Sequence, residues 1–245
     1  MNFKSIKIQL GIFLLLFSAY TAFLEKDVRF LLAIGISVIS AAIIDCIASY
    51  LKKKEFVLTE SSIITGLIIG CVLSSREKWW LIALTALLAI ASKHIIRFRN
   101  KHFFNPAAFG IIVSVFFLGA STEWKGAYLW YVIAPFGAYV LFKIKKLELV
   151  IGYFIASFIL FGGQAIMDKV NIFNILGYLN YFFIFIMLIE PMTTPATKSG
   201  KIIFGLLSGV LIFIFYMFGV KEAELVALLC ANLLLRIRLN LRRQA

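Results

Sequence analysis

The chain has 245 residues, 62% of them hydrophobic, and a mean hydropathy of +0.97. Its apolar runs are too long for the buried helices of a water-soluble domain, so the composition excludes a soluble globular fold and points to a polytopic membrane protein. The net charge of +13 would suit a nucleic-acid partner, but the placement of the cations gives a simpler cause.

Segments of about 17 to 25 mostly apolar residues fall at 7–23, 29–51, 57–75, 79–97, 103–120, 125–143, 147–167, 172–192, 201–219 and 223–240. Backbone groups in lipid must be paired internally, and long Ile, Leu and Phe runs without strand-length alternation favour helices over a barrel. The predicted fold class is therefore an all-α polytopic membrane protein with about ten transmembrane helices. A single integral membrane domain over 1–245 is expected, since no linker rich in Pro, Gly or Ser interrupts it. Ten helices can also be built as two inverted halves of five.

If successive connections alternate sides, 18 of the 25 Lys and Arg fall on the side that holds both termini. They include Lys4, Lys7, Lys52 to Lys54, Lys93, Arg97, Arg99, Lys101, Lys143, Lys145, Lys146, Lys198, Lys201, Arg236, Arg238, Arg242 and Arg243. The other side has seven, Lys125 among them, offset by Glu25, Asp27, Glu77, Glu123, Asp168, Glu222 and Glu224. The positive-inside rule makes the cation-rich face cytoplasmic, with both termini inside, in the inner (cytoplasmic) membrane. Anionic lipid headgroups are then a sufficient partner for the cations, and no nucleic acid is needed. The first segment imitates a signal peptide, with Lys4 and Lys7 before it and "AYTAF" at its end. It is expected to be retained, because cleavage would remove the charge-consistent start. Cys46, Cys71 and Cys230 lie singly in apolar segments and read as small packing residues, without disulfide or metal spacing.

Along the chain, each polar residue inside an apolar segment has a structural reading to weigh first. Asp45 lies about two turns before Lys52 to Lys54 and is placed to pair with a snorkelling lysine. Thr59 is placed to cap the third helix, with Glu60 in its first turn. His94 and His102 flank the basic turn "SKHIIRFRNKHFF" and read as an interfacial pair. In "NKHFFNPAAFG", Asn105 suits an N-cap and Pro106 the first helical position. Asn-Pro-Ala is also the triplet of aquaporin-type half-helices. Its partner here, Thr194, Pro195 and Ala196 before the ninth helix, falls on the same side, however, where such a channel needs opposite sides. Thr194 and Pro195 read as a second copy of the cap device. In "MLIEPMTTPATKSG", Pro191 and Pro195 break any regular helix after Glu190. The freed backbone needs hydroxyls such as those of Thr193, Thr194, Thr197 and Ser199. No nucleotide loop, zinc helix motif or Ser-His-Asp arrangement is present.

The blocks "LTESSIITGLIIGCVLSS", "SKHIIRFRNKHFFNPAAFG", "EPMTTPATKSGKIIFGLLSGVL" and "ALLCANLLLR", over 55–115 and 185–235, resemble in order and wording one family. It comprises the D subunit of Rnf electron-transport complexes and the related B subunit of sodium-pumping NADH:quinone reductase. The resemblance implies a short, divergent ten-helix subunit that works with other membrane and redox subunits. It also implies electron passage through flavin, FMN or riboflavin, coupled to Na+ or H+ movement. Carried over by motif, Asn105, Pro106 and Ala107 with Thr194, Pro195 and Thr197 are the expected cofactor-binding residues. No catalytic or metal-binding residue is assigned. Family members attach FMN to a threonine in a Ser/Thr-Gly-Ala-Thr motif, and no such motif occurs here. Thr122 in "LGASTEWKGAYLW" is the remaining candidate for the ester, and non-covalent flavin is the expectation. The alternative is a solute or ion transporter or channel on the same scaffold, without redox activity.

Overall fold

A computed structural model describes residues 5–98, 101–171 and 175–241, and their side chains apart from 53, 98, 101, 175, 178 and 236–241. The expected cytoplasmic cations Lys4, Arg99, Arg242 and Arg243, and the side chains of Lys53, Lys101, Arg236 and Arg238, lie outside the described residues. The chain divides into two compact units, residues 1–128 and 129–245.

Unit 1 holds α1 (Ile6–Glu25), α2 (Val28–Lys53), α3 (Glu60–Val72), α4 (Trp79–Ile95), a two-residue antiparallel hairpin of β1 (Arg97–Phe98) and β2 (Lys101–His102), and α5 (Pro106–Leu118). Asp27 starts α2 by accepting from the Phe30 amide at 3.2 Å. Lys26 and Gly119 end α1 and α5 in the left-handed region. The core follows from small residues that let helices approach closely. A side chain at Gly66 would meet the Val38 backbone at 2.6 Å, and one at Gly70 would meet Ser37 Oγ at 2.8 Å, so α3 runs antiparallel against α2. Ser37 Oγ donates across that seam to the Gly66 carbonyl at 2.8 Å. Gly110 lies equally close to Thr85 and Ala89, and Thr85 and Ser114 share a 2.7 Å hydroxyl bond between α4 and α5. Cys71 is buried beside Ser18, as expected of a packing residue.

Helices α3 and α5 have 13 residues each, about 20 Å, against a hydrocarbon core of about 30 Å. The sequence expects longer spans at 57–75 and 103–120. Irregular but paired backbone replaces the missing turns. Glu123 N and Trp124 N donate to Val72 O at 2.9 and 3.2 Å, Lys125 N to Cys71 O at 2.8 Å, and Ser74 N to Ser121 O at 3.0 Å. Leu73, Ser74 and Ser75 are buried there, so non-helical backbone is tolerated because protein covers it.

Unit 2 holds α6 (Trp130–Lys143), α7 (Leu147–Met167), a four-residue α8 (Ile175–Tyr178), a wide-turned π segment (Phe183–Met187), α9 (Lys198–Met217) and α10 (Ala223–Leu241). Here α7 and α9 run parallel in close contact. A side chain at Gly205 would collide with the Leu149 carbonyl, one at Gly152 would lie 2.5 Å from the Ile202 carbonyl, and one at Gly209 would lie 2.7 Å from Ala156. Gly205 and Gly209 form the Gly-x-x-x-Gly spacing suited to such an approach. Gly137 of α6 makes the room that Phe185 of the π segment occupies.

The unbroken eighth span expected at 172–192 needs correction. Residues 172–174 lie outside the described set, and the rest is broken between α8 and the π segment at Leu179–Asn180. Asn180 restarts the helix: its Oδ1 accepts from Phe183 N at 3.0 Å and its carbonyl from Ile184 N at 3.0 Å. Among the described residues, α1, α2 to Lys52, α7 and α9 are long and apolar enough to cross a membrane, and α3, α4, α5 and α10 over Ala223–Leu235 are shorter apolar helices.

Replacing Gly205 by Leu is expected to cost about 1–3 kcal/mol or more from overpacking. Gly163→Ala, on α7 with open space around it, should leave stability unchanged or slightly raised. Thermal unfolding of the two variants in one detergent checks the order.

Candidate functional site

The polar residues of unit 1 gather at two opposite ends. At one, Asp45 of α2 is fully buried. Its Oδ2 accepts from Thr59 N at 3.2 Å and Thr59 Oγ1 at 2.5 Å, while Oδ1 lies 3.2 Å from Lys93 Nζ and 2.8 Å from His94 Nε2. Lys93 Nζ also donates to Thr59 Oγ1 at 2.8 Å, and Lys52 Nζ to the His94 carbonyl at 2.8 Å. Two expectations change. Asp45 pairs with Lys93 and His94 across to α4 rather than with Lys52 to Lys54, because α2 and α4 bring their ends together. Thr59 starts α3 without a side-chain cap bond, since its hydroxyl is turned to Asp45. Of the two histidines that flank the basic turn, His94 faces Asp45 and His102 is buried in the hairpin opposite Arg97.

The hairpin leads into α5, where Asn105 Oδ1 accepts from Ala108 N at 3.0 Å and Pro106 opens the helix, as the sequence predicts. Asn105, Pro106 and Ala107 are buried.

At the other end, Lys125 Nζ lies 2.8 Å from Glu25, 3.1 Å from Asp27 and 3.4 Å from Glu123. Ser75 binds the same acids, its Oγ donating to Asp27 at 2.8 Å and its N to Glu123 at 3.2 Å. Burial pushes the Asp27 and Glu123 carboxyls up, but the serine hydrogen bonds and the Lys125 charge outweigh it and hold both below their usual range. Burial likewise pulls Lys125 down, and its bonds to Glu25 and Asp27 with the charge of Glu123 carry it above the ordinary lysine range. Thr122 lies half-buried in the adjoining strand-like pairing, opposite Leu73.

In unit 2 the broken stretch after Glu190 is held by the buried Lys146, and a second buried lysine, Lys201, ties the start of α9 to that of α7. Lys146 Nζ donates to Thr194 Oγ1 at 2.6 Å and to the Pro195 carbonyl at 2.7 Å. Lys201 Nζ donates to the Lys145 carbonyl and meets Glu148 at 3.2 Å. Thr194 Oγ1 donates to the Glu190 carbonyl at 2.8 Å. Thr194 and Pro195 are not a second cap device: α9 is capped two residues later, where Thr197 Oγ1 accepts from Gly200 N at 3.2 Å. Further along, Asn180 Nδ2 donates to Glu224 of α10 at 2.9 Å. Lys146, Asn180 and Glu224 escape a reading of sequence windows. Asn180, a polar residue inside an apolar run, is the one that carried a local signal.

Asn105 to Ala107 thus belong to unit 1, and Thr194 to Thr197 to unit 2. The side-chain oxygens of Asn105, Thr194 and Thr197 are engaged by the chain itself. They do not fit a flavin without giving up those bonds, and no electron-transfer step is derived through one. Among the described residues no group of three or more His, Cys, Asp or Glu is arranged to hold a metal ion.

A family model described as the NQR2, RnfD, RnfE family matches residues 2–145. That is more than half of the chain, and the chain belongs to this family. No curated protein matches it. The match takes in Asn105, Pro106, Ala107 and Thr122, whereas Thr194, Pro195 and Thr197 lie beyond it.

Two outcomes test the clusters. Removing Asp45 by Asp45→Ala strands Lys93 and is expected to cost about 3 kcal/mol or more, with Lys93→Met in the same chain recovering part of it. At the other end, the lowered carboxyls contribute stability that is present above their ordinary range and lost as pH falls through their folded values. The raised Lys125 contributes stability that is full below its ordinary value and lost as pH climbs through the folded one. Unfolding followed against pH should therefore show a plateau from about pH 5 to about pH 10. In Lys125→Met the three acids repel one another, and mild acidification should stabilise instead.

Proposed function

We propose that this member of the NQR2, RnfD, RnfE family is an integral subunit of a flavin-dependent electron-transport complex that moves Na+ or H+ across the inner membrane. The observation that carries the reading is the family match over 2–145, which includes the basic hairpin and the capped, buried start of α5. The chain works with other membrane and redox subunits. Both termini lie on the cytoplasmic side, following the cation bias of the sequence.

Flavin is held non-covalently by the partner subunits, since the side-chain oxygens of Asn105, Thr194 and Thr197 are engaged by the chain itself. The chemistry it supplies when bound is one- and two-electron transfer. What the residues of this chain do is hold the irregular backbone. Asn105 fixes the start of α5, Lys146 fixes the Thr194–Pro195 turn, and Thr197 fixes the start of α9. The broken eighth segment supports a second reading, a solute or ion transporter on the same scaffold, since discontinuous helices line substrate paths in such folds.

Flavin content separates the two. The chain purified with its native neighbours is expected to carry flavin that denaturation releases, seen as absorbance and fluorescence in the supernatant. A well-folded complex devoid of flavin would rule out the electron-transfer reading. Flavin that stays on the denatured chain and disappears in Thr122→Ala would establish the ester at Thr122.

A further inference from the structure

We propose that Glu224, at the break in the eighth segment, is a binding site for a monovalent cation, H+ or Na+, inside unit 2. The proposal rests on the ion-coupling part of the function above.

Glu224 stands in the first turn of α10 and is half-buried. Asp45, Glu25, Glu123 and Glu148 each lie against a lysine. No lysine or arginine among the described residues pairs with Glu224, whose bond is to the neutral Asn180 amide. Asn180 is fixed in that orientation, because its other side-chain atom caps Phe183 N. A carboxylate without a cation is costly in apolar surroundings, and neutralisation by a small cation removes the cost.

Further oxygen groups for such a cation stand on α7, whose Tyr153 packs against the π segment that Asn180 starts. The buried Tyr153 ring lies 6.4 Å from that of Phe183, the residue whose amide Asn180 caps, and Ser157 stands one turn further along α7. Ser157 Oγ is fully buried and makes no well-formed hydrogen bond. The buried side-chain polar atoms left unpaired in unit 2, among the described residues, are this hydroxyl and both amide atoms of Asn232. They belong to α7 and α10, the helices that carry Tyr153 and Glu224. Carboxylate, phenol and hydroxyl are hard oxygen donors, the kind that alkali and alkaline-earth cations take.

The charged or titratable groups around Glu224 are few. Glu222 precedes it and adds like charge, Lys221 stands exposed three residues before it without an ion pair to it, and the eighth segment contributes the uncharged Asn180. Helix α9 has no Asp, Glu, Lys or Arg after Lys201. Among the described residues no Lys or Arg forms an ion pair with the carboxylate.

The test uses the full chain in detergent or nanodiscs and dicyclohexylcarbodiimide, which modifies protonated carboxyl groups in apolar settings, with the adduct located by peptide mass spectrometry. Glu224 should be labelled, and labelling should fall at least about tenfold as pH rises and the proton is lost. Suppression by NaCl but not by choline chloride at constant pH assigns Na+ as a competing ligand. A pH dependence indifferent to sodium assigns H+ alone. Asn180→Ala removes the donor to the carboxylate and should move the fall to higher pH, while Glu224→Gln sets the background. Absence of labelling at Glu224 at every pH, or labelling indifferent to both pH and sodium, overturns the proposal. No electron donor enters the experiment, so its result stands whether or not flavin is found in the complex.

Discussion

A backbone amide or carbonyl left unpaired in hydrocarbon costs several kcal/mol, and this requirement governs the helix breaks among the described residues. Helices α3 and α5 end before they can cross, and the carbonyls of Cys71 and Val72 would be orphans without the amides of Glu123, Trp124 and Lys125. In unit 2, the halt at Leu179 is repaired by Asn180, and the two-proline stretch after Glu190 is repaired by threonine hydroxyls and the Lys146 ammonium. Each of these breaks therefore comes with its own donor or acceptor, local at Asn180 and Thr194 and distant in sequence at Lys125 and Lys146. Polar side chains at membrane depth are the means by which the helices are allowed to stop.

Those donors reach their targets only because the helices lie close together. Lipid tails are as apolar as leucine, so helix association in a bilayer depends on van der Waals contact and interhelical hydrogen bonds rather than on release of water. Gly66 and Gly70 seat α3 on α2, and Gly152, Gly205 and Gly209 seat α7 on α9. The Ser37 and Thr85–Ser114 bonds then span seams where a larger residue would have held the backbones apart. Stacking of α7 on α9 in turn brings Lys201 to the start of α7. The glycines thus precede the polar contacts in the chain of causes.

The membrane class and the helical fold were legible in the sequence because both depend on local windows of hydropathy. The Asn105–Pro106 cap was legible for the same reason: a cap lies within four residues of its target. The Thr194–Pro195 cap failed because a similar local pattern is overridden by Lys146, which draws the Thr194 hydroxyl and the Pro195 carbonyl to itself and leaves Thr197 to start α9. Asp45 was read toward the nearest lysines in sequence, and its partners came from α4, 48 and 49 positions away. The eighth span read as continuous because Asn180 alone does not lower a hydropathy window. The candidate flavin residues divide in the same way: Asn105 to Ala107 lie within the family match, while Thr194 to Thr197 depend on resemblance alone.

The cation bias used to orient the chain also changes meaning once the contacts are known. Lys93, Lys146 and Lys201 were counted as cytoplasmic charges attracted to lipid headgroups. Each instead donates into the protein, to Asp45 and Thr59, to Thr194 and Pro195, and to Glu148 and the Lys145 carbonyl. Lys125, on the side where acids outnumber it locally, holds three carboxylates together. Insertion responds to the number of Lys and Arg in a connection and not to what they later bind. The same lysine can therefore bias topology while the chain is inserted and then close a helix break once it has folded. Replacing such a lysine by a neutral residue changes both, whereas arginine keeps the topological charge and alters the fit. That difference makes Lys146→Arg, rather than Lys146→Ala, the substitution that isolates the structural role.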